Sequence, residues 1–166
     1  MATLSLLAIG SSGSLGNELA QDAITFAMHG HILTNTSAWS PDSEWLVYDI
    51  REEGATFDST RIERVRVEDG KVELIYESPI GRACGVVTHH PTESSVVFID
   101  GMAPGNTEWP YSSTRRGGLI VNYGQSPPEI SALDALDFTS PFTAGALRGG
   151  SHVHVFDSAG GWVSFT

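Results

Sequence analysis

His152 and His154 stand two residues apart, with only Val153 between them. On a β-strand side chains alternate between faces, so this spacing puts both imidazoles on one side. Two neighbouring imidazoles are the beginning of a transition-metal site. His31 and His90 are the candidates for a third ligand. His31 lies in phase with Asn35 and Ser37, and His90 sits at a turn between His89 and Pro91. Three histidines would hold a divalent transition metal and leave positions open for substrate. Arg148-Gly149-Gly150 leads directly into the pair. Its guanidinium can clamp a carboxylate and the glycines permit close backbone approach, so Arg148 is the candidate catalytic residue for an acidic substrate. The plainer alternatives are buried, hydrogen-bonded core histidines and an arginine in a surface salt bridge.

Other chemistry is excluded by context. Gly10-Ser-Ser-Gly13 and Gly16 do not follow a strand in a βαβ unit, so they form no phosphate loop. No Gly-x-Ser-x-Gly elbow occurs. Cys84, the one cysteine, lies on a strand and reads as inert. A lone cysteine makes no intrachain disulfide and leaves cytoplasm and periplasm equally open. The net charge is −11, with 20 acidic residues against 9 basic ones, of which only Lys71 is a lysine. So acidic a surface repels phosphate backbones and excludes nucleic acid as a partner. No apolar run is long enough for a helical membrane span.

The elements that must position these residues are strands. Gly (18) and Pro (8) punctuate the chain at short intervals, while 40% of residues are hydrophobic, which favours many short strands in a globular all-β domain. Three stretches repeat a strand–turn–strand pattern: Thr36–Tyr48, Val86–Phe98 and Val153–Phe165. Aligned on Trp39, His89 and Phe156, they begin 50 and 67 residues apart. The first interval is near the ~40–50 residues of a propeller blade, and the second implies an insertion at 103–116. Arg61–Val67 and Val72–Tyr76 form a hairpin, with Asp69-Gly70 signalling a type I′ turn, and 118–123 with 128–133 form its counterpart. Each unit would then hold four strands, as a blade does. Residues 131–151 read as a long ordered loop with one helical turn, and 15–28 as a short helix. Trp39, Trp45 and Trp162 are expected to pack between blades, with His89 as a packing substitute. His29 is expected in solvent, and Trp109, in the insertion, is expected to be exposed as a contact residue.

Ala38-Trp39-Ser40-Pro41-Asp42-Ser43-Glu44-Trp45-Leu46-Val47-Tyr48 resembles the WSPDG-type repeat of TolB-like six-bladed propellers. His31–Asn35, Arg61–Val65, Gly85–Thr88 and Phe142–Phe156 further resemble a bacterial family of TolB-like proteins of unknown function. A more distant likeness is to oligogalacturonate lyases, propellers that use a manganese-type ion held mainly by histidines.

The resemblance implies an incomplete β-propeller of about two and a half four-stranded blades over residues 30–166. Residues 1–29 would form an N-terminal extension or the remnant of a weak signal peptide. The third unit stops at its second strand, so the chain reads as truncated at its C-terminus. An open apolar edge there invites self-association, and the isolated fragment should be marginally stable. The leading functional expectation is a scaffold that binds a ligand or protein partner. The alternative is a metal-dependent lyase acting on acidic oligosaccharides, with His152, His154 and His31 or His90 as ligands and Arg148 holding an acidic sugar.

Overall fold

The turn at Pro41–Ser43 sets a pattern that the chain uses three times. Ser40 N donates to Trp45 O (2.9 Å), and Ser43, in the left-handed region (φ 61°), donates from N to Ser40 O (2.9 Å). The Asp42 carboxylate accepts from the Ser40 hydroxyl (2.5 Å) and from Glu44 N (3.0 Å). The same five-residue closure recurs from His90 N to Ser95 O (2.8 Å) and from Asp157 N to Trp162 O (2.9 Å). A polar side chain at the head of such a turn captures local backbone donors that no strand will use. In the second turn His90 fills that role: its Nδ1 accepts from Thr92 N (3.2 Å) and Glu93 N (3.0 Å). In the third, Asp157 Oδ1 accepts from Trp162 N (3.0 Å).

A computed structural model describes residues 5–7, 21–51, 56–80, 82–101 and 112–166, and the protein is all-β over them. Strands β1 (Ser5–Leu7) and β2 (Gln21–Ala23) pair with each other. Next, β3 (His31–Ile32), β4 (Trp45–Ile50), β5 (Arg61–Arg66) and β6 (Val72–Glu77) form one antiparallel sheet in sequence order. A second such sheet follows: β7 (Cys84–His89), β8 (Ser95–Asp100), β9 (Gly117–Asn122) and β10 (Glu129–Ala132). Strands β11 (Val155–Phe156) and β12 (Val163–Ser164) make a separate antiparallel pair.

The two four-stranded sheets are pressed face to face. Val47, Ile62, Ile75 and Tyr76 of the first pack on Cys84, Val87, Val96, Phe98, Leu119 and Val121 of the second. The Tyr76 and Phe98 rings lie 4.9 Å apart. Every residue of β4 and β8 is buried, because each strand is covered on both faces. On the other face of the first sheet Leu46, Tyr48, Ile50 and Val65 pack with Ile24. Behind the second sheet, register puts Gly118 opposite Ile99, and a Cβ at Gly118 would meet Leu133 (2.8 Å) and the His154 Nε2 (2.9 Å). The segment carrying His154 is thus seated against β9.

Several expectations are corrected. Of 15–28, residues 21–28 are described, and they hold strand β2 and no helix. Tertiary packing of Ile24 overrides a weak local helical pattern. The Asp69-Gly70 pair does not make a two-residue turn. Gly70 N donates to Arg66 O (2.9 Å) across a wider loop, in which Gly70 alone takes a positive φ (72°). Asp69 holds that loop by binding the Arg66 guanidinium (2.9 and 2.5 Å) and accepting from Lys71 N (3.1 Å). The 131–151 loop contains no helical turn. It is closed by a parallel bridge of Leu136 with Leu147, and Asp137 accepts from Thr139 N (3.0 Å) and Thr143 N (2.7 Å). The inserted segment retains a 3₁₀ turn at Ser113–Arg115, while Trp109, Gly10-Ser-Ser-Gly13 and Gly16 lie outside the described residues.

Candidate functional site

The three turns meet. Ser37, Trp39 and Ser40 from the first unit, His89 from the second, and Phe156 and Asp157 from the third line one cleft of about 410 Å³. Pro41, Pro91 and Ser158, the turn residues themselves, complete it. Trp39, His89 and Phe156 are the equivalent position of each unit, placed just before its turn. A long-range bond holds the first two units in register, from His89 N to Ser37 O (2.8 Å). Asn35 Nδ2 donates to Thr88 Oγ1 (2.8 Å), and Thr88 Oγ1 donates to His154 O (2.8 Å), tying all three units together beneath the cleft.

The chemistry of the cleft is aromatic, hydroxylic and anionic. Trp39 is 41% exposed and presents its indole there. His89 is buried, and burial holds its imidazole below the usual histidine range. Its Nδ1–H donates to His90 O (2.7 Å), and its Nε2 accepts from the Tyr123 hydroxyl. Tyr123 in turn lies under the Arg64 guanidinium (4.5 Å to its ring centroid), which is paired with Glu73 (2.5 Å). The Trp162 amide holds the Asp157 carboxyl below its ordinary value, and the Ser40 hydroxyl does the same for Asp42. Both are therefore ionised at neutral pH. Among the described residues no lysine or arginine lines the cleft.

The histidines singled out in the sequence do not gather. His152 and His154 lie before β11, and Val153 between them takes φ 54°, a left-handed conformation that breaks strand alternation. They consequently find separate partners. His152 Nδ1 accepts from Arg116 Nη1 (3.2 Å). His154 is fully buried, with Nε2 at 3.0 Å from Ser151 Oγ and 3.8 Å from Asp134. Ser151 Oγ donates to Asp134 Oδ2 (2.5 Å), which also accepts from Gly118 N (2.7 Å). This Ser–His–Asp grouping is closed to solvent, and the serine proton is committed to the carboxylate, so it is a packing device and not a nucleophile.

His31 pairs opposite Ile50 on β3, its ring 5.0 Å from Tyr48 and 4.7 Å from His29. His29, expected in solvent, is half-buried. His90 packs edge-on to Phe156 (4.7 Å) and reaches Gly160 O (3.2 Å). Arg148 stacks on Phe142 (4.5 Å), and Gly150 approaches its own chain at Ser113. Among the described residues no group of three His, Cys, Asp or Glu side chains is arranged to hold a metal ion. Cys84 is buried, and burial pushes its thiol far up. Trp45 is buried, its ring covered by the Arg64 (4.1 Å) and Arg66 (5.5 Å) guanidiniums of its own sheet, whereas Trp162 is 80% exposed.

The clip between the second and third turns depends on a glycine. A Cβ at Gly160 (φ 76°) would run into the His90 imidazole. Gly160→Ala is expected to destabilise the protein by about 2–4 kcal/mol through left-handed strain and overlap. Urea denaturation reads this directly, and an unchanged midpoint would mean that His90 does not bear on the third turn.

The cleft was partly visible in the sequence, since its three aromatic residues are the ones on which the repeats align. What local pattern could not indicate was that they face one space. Asp134 and Tyr123 carried no spacing signal at all.

The family model described as a protein of unknown function (DUF3748) matches residues 83–166. The chain is also similar to the uncharacterized protein YidR of Escherichia coli (strain K12), with 49% identity over 152 residues. That alignment takes in 92% of this chain and 36% of the relative, so the chain spans about a third of the relative's length.

Proposed function

We propose, for a chain that belongs to the DUF3748 family of proteins of unknown function, that it is a segment of a β-propeller whose role is to bind. In this reading the two four-stranded sheets are consecutive blades, and the β11–β12 pair opens a third. The cleft at their turns is the binding site for a ligand or a partner's side chains.

One observation carries the proposal: equivalent residues of three successive units, Trp39, His89 and Phe156, line a single cleft. Radial repetition brings equivalent positions together around an axis, whereas stacking two sheets into a sandwich has no reason to. The recurrence of the same turn closure in all three units supports the same reading. The cleft's size falls in the range of small-ligand sites, roughly 300–1,000 Å³.

Titrating the ¹⁵N-labelled chain with phenol and isopropanol as mapping probes tests this. Amide shifts are expected to centre on Trp39, His89 and Ser158, and to vanish in Ser158→Phe, which fills the cleft. Shifts scattered over the surface, or unaffected by that substitution, would remove the cleft from consideration.

A further inference from the structure

We infer that the cleft takes a small organic cation, an alkylated ammonium group on an apolar body, with the indole of Trp39 and the carboxylate of Asp157 as its recognition elements. The inference rests on the binding reading above and narrows it to a ligand class.

Three properties of the lining point the same way. Trp39 and Phe156 supply aromatic rings, and an indole face is the best aromatic partner for a cation. Asp157 adds a full negative charge, and Asp42 lies in the same turn as the lining residues Ser40 and Pro41. Among the described residues of the lining none is a lysine or arginine that would compete for these groups. The Arg64 guanidinium lies over Tyr123, the partner of His89, and is paired with Glu73. His89 stays neutral, since its Nδ1–H is committed to a carbonyl and its Nε2 accepts from Tyr123.

A carboxylate or phosphate ligand would meet Asp157 and find no counter-charge there. A strongly hydrated ammonium would lose its water against Trp39 and Pro41 for little return. An alkylated ammonium is weakly hydrated, keeps its charge and matches both parts of the surface. The chain's net charge of −11 adds a long-range field that draws cations towards it.

The decisive comparison is choline against its neutral isostere 3,3-dimethylbutan-1-ol, which has the same shape without the charge. Binding is followed at the Trp39 indole N–H in the intact chain, the signal being assigned with Trp39→Phe, and at the backbone amide of the lining residue Ser158, which also reports in Trp39→Ala. Choline is expected to bind about tenfold more tightly than the isostere. Asp157→Asn keeps the oxygen that caps the third turn and removes only the charge. It should weaken choline several-fold and leave the isostere unchanged. Trp39→Ala, at a part-exposed position that tolerates truncation, should abolish both.

Equal affinities for the two probes would overturn the cation inference while leaving the cleft a binding site. Binding of choline that survives Trp39→Ala would overturn it too, by moving the cation elsewhere. If neither probe perturbs Trp39, the inference and the binding reading fall together.

Discussion

Asp49→Ala is expected to destabilise the protein by about 3–5 kcal/mol, the usual loss when one partner of a buried ion pair is removed. The Asp49 side chain is fully buried and makes three kinds of bond at once. It accepts from Arg51 Nε (2.8 Å), from the Thr34 hydroxyl (3.0 Å) and, across to β7, from Val86 N (3.2 Å). Burial pushes the Asp49 carboxyl above its ordinary value, and Arg51 opposes that shift without cancelling it. The carboxylate is therefore costly where it stands and is retained by its partners. Alanine would leave the 9%-exposed guanidinium of Arg51 without its carboxylate and Val86 N without an acceptor.

Val86 itself has φ 60°, strained for a β-branched residue, and the bond to Asp49 helps to hold it there. Gly85 is part of the same arrangement, because a Cβ there would lie 2.5 Å from Asp49 Oδ2. The double variant Asp49→Ala/Arg51→Met removes the orphaned charge and is expected to recover more than half of the loss. Urea denaturation of the three variants checks this. A loss below about 1 kcal/mol for Asp49→Ala would mean that the pair behaves as a solvated one.

The second large effect is acid destabilisation beginning at mildly acidic pH. Burial holds His89 and His154 below the usual histidine value of 6.5, and His152 is lowered in the same way. A histidine whose folded-state value is depressed contributes stability that is complete above its unfolded value and is lost as pH falls towards the folded one. In that window the unfolded chain binds protons that the folded chain refuses. Each such histidine costs up to about 1.4 kcal/mol per pH unit, so His89 and His154 together cost up to about 2.7.

The carboxylates held low by their partners, among them Asp42, Asp69 and Asp157, lose their contributions only below the ordinary carboxylate value of 3.8. The loss just below pH 6.5 therefore comes from the histidines, and Asp49, whose raised carboxyl takes up its proton in the folded chain first, acts in the opposite sense. Unfolding free energies at pH 7.5, 6.5 and 5.5 should fall steeply over the last interval, and His154→Asn should flatten that slope by about half. A flat profile down to pH 5.5 would show that both imidazoles protonate freely in the folded state.

The sequence by itself determined most of the strands from β4 onward and where the three repeated turns fall. The hairpin pattern marked β5, β6, β9 and β10, and Pro41, Pro91 and the glycines after Asp157 marked where chain direction reverses, since these signals act within a few residues. It also determined that Cys84 is inert and that three similar units follow one another. The tertiary structure alone decided where the chemistry lies. His152 and His154 look like a pair on paper, but the seat of His154 against Gly118 and Asp134 is made with Val153 in a left-handed conformation that takes the two rings out of strand alternation.

His90 reads as a ligand, yet the turn uses its Nδ1 as an acceptor, which leaves it a structural cap. Conversely, Trp39, His89 and Phe156 look like interchangeable packing residues, and they become a site because inter-sheet contacts bring three distant turns to one cleft. Local propensity acts over a turn or a strand, whereas the direction of a side chain is set by what packs against it from far along the chain.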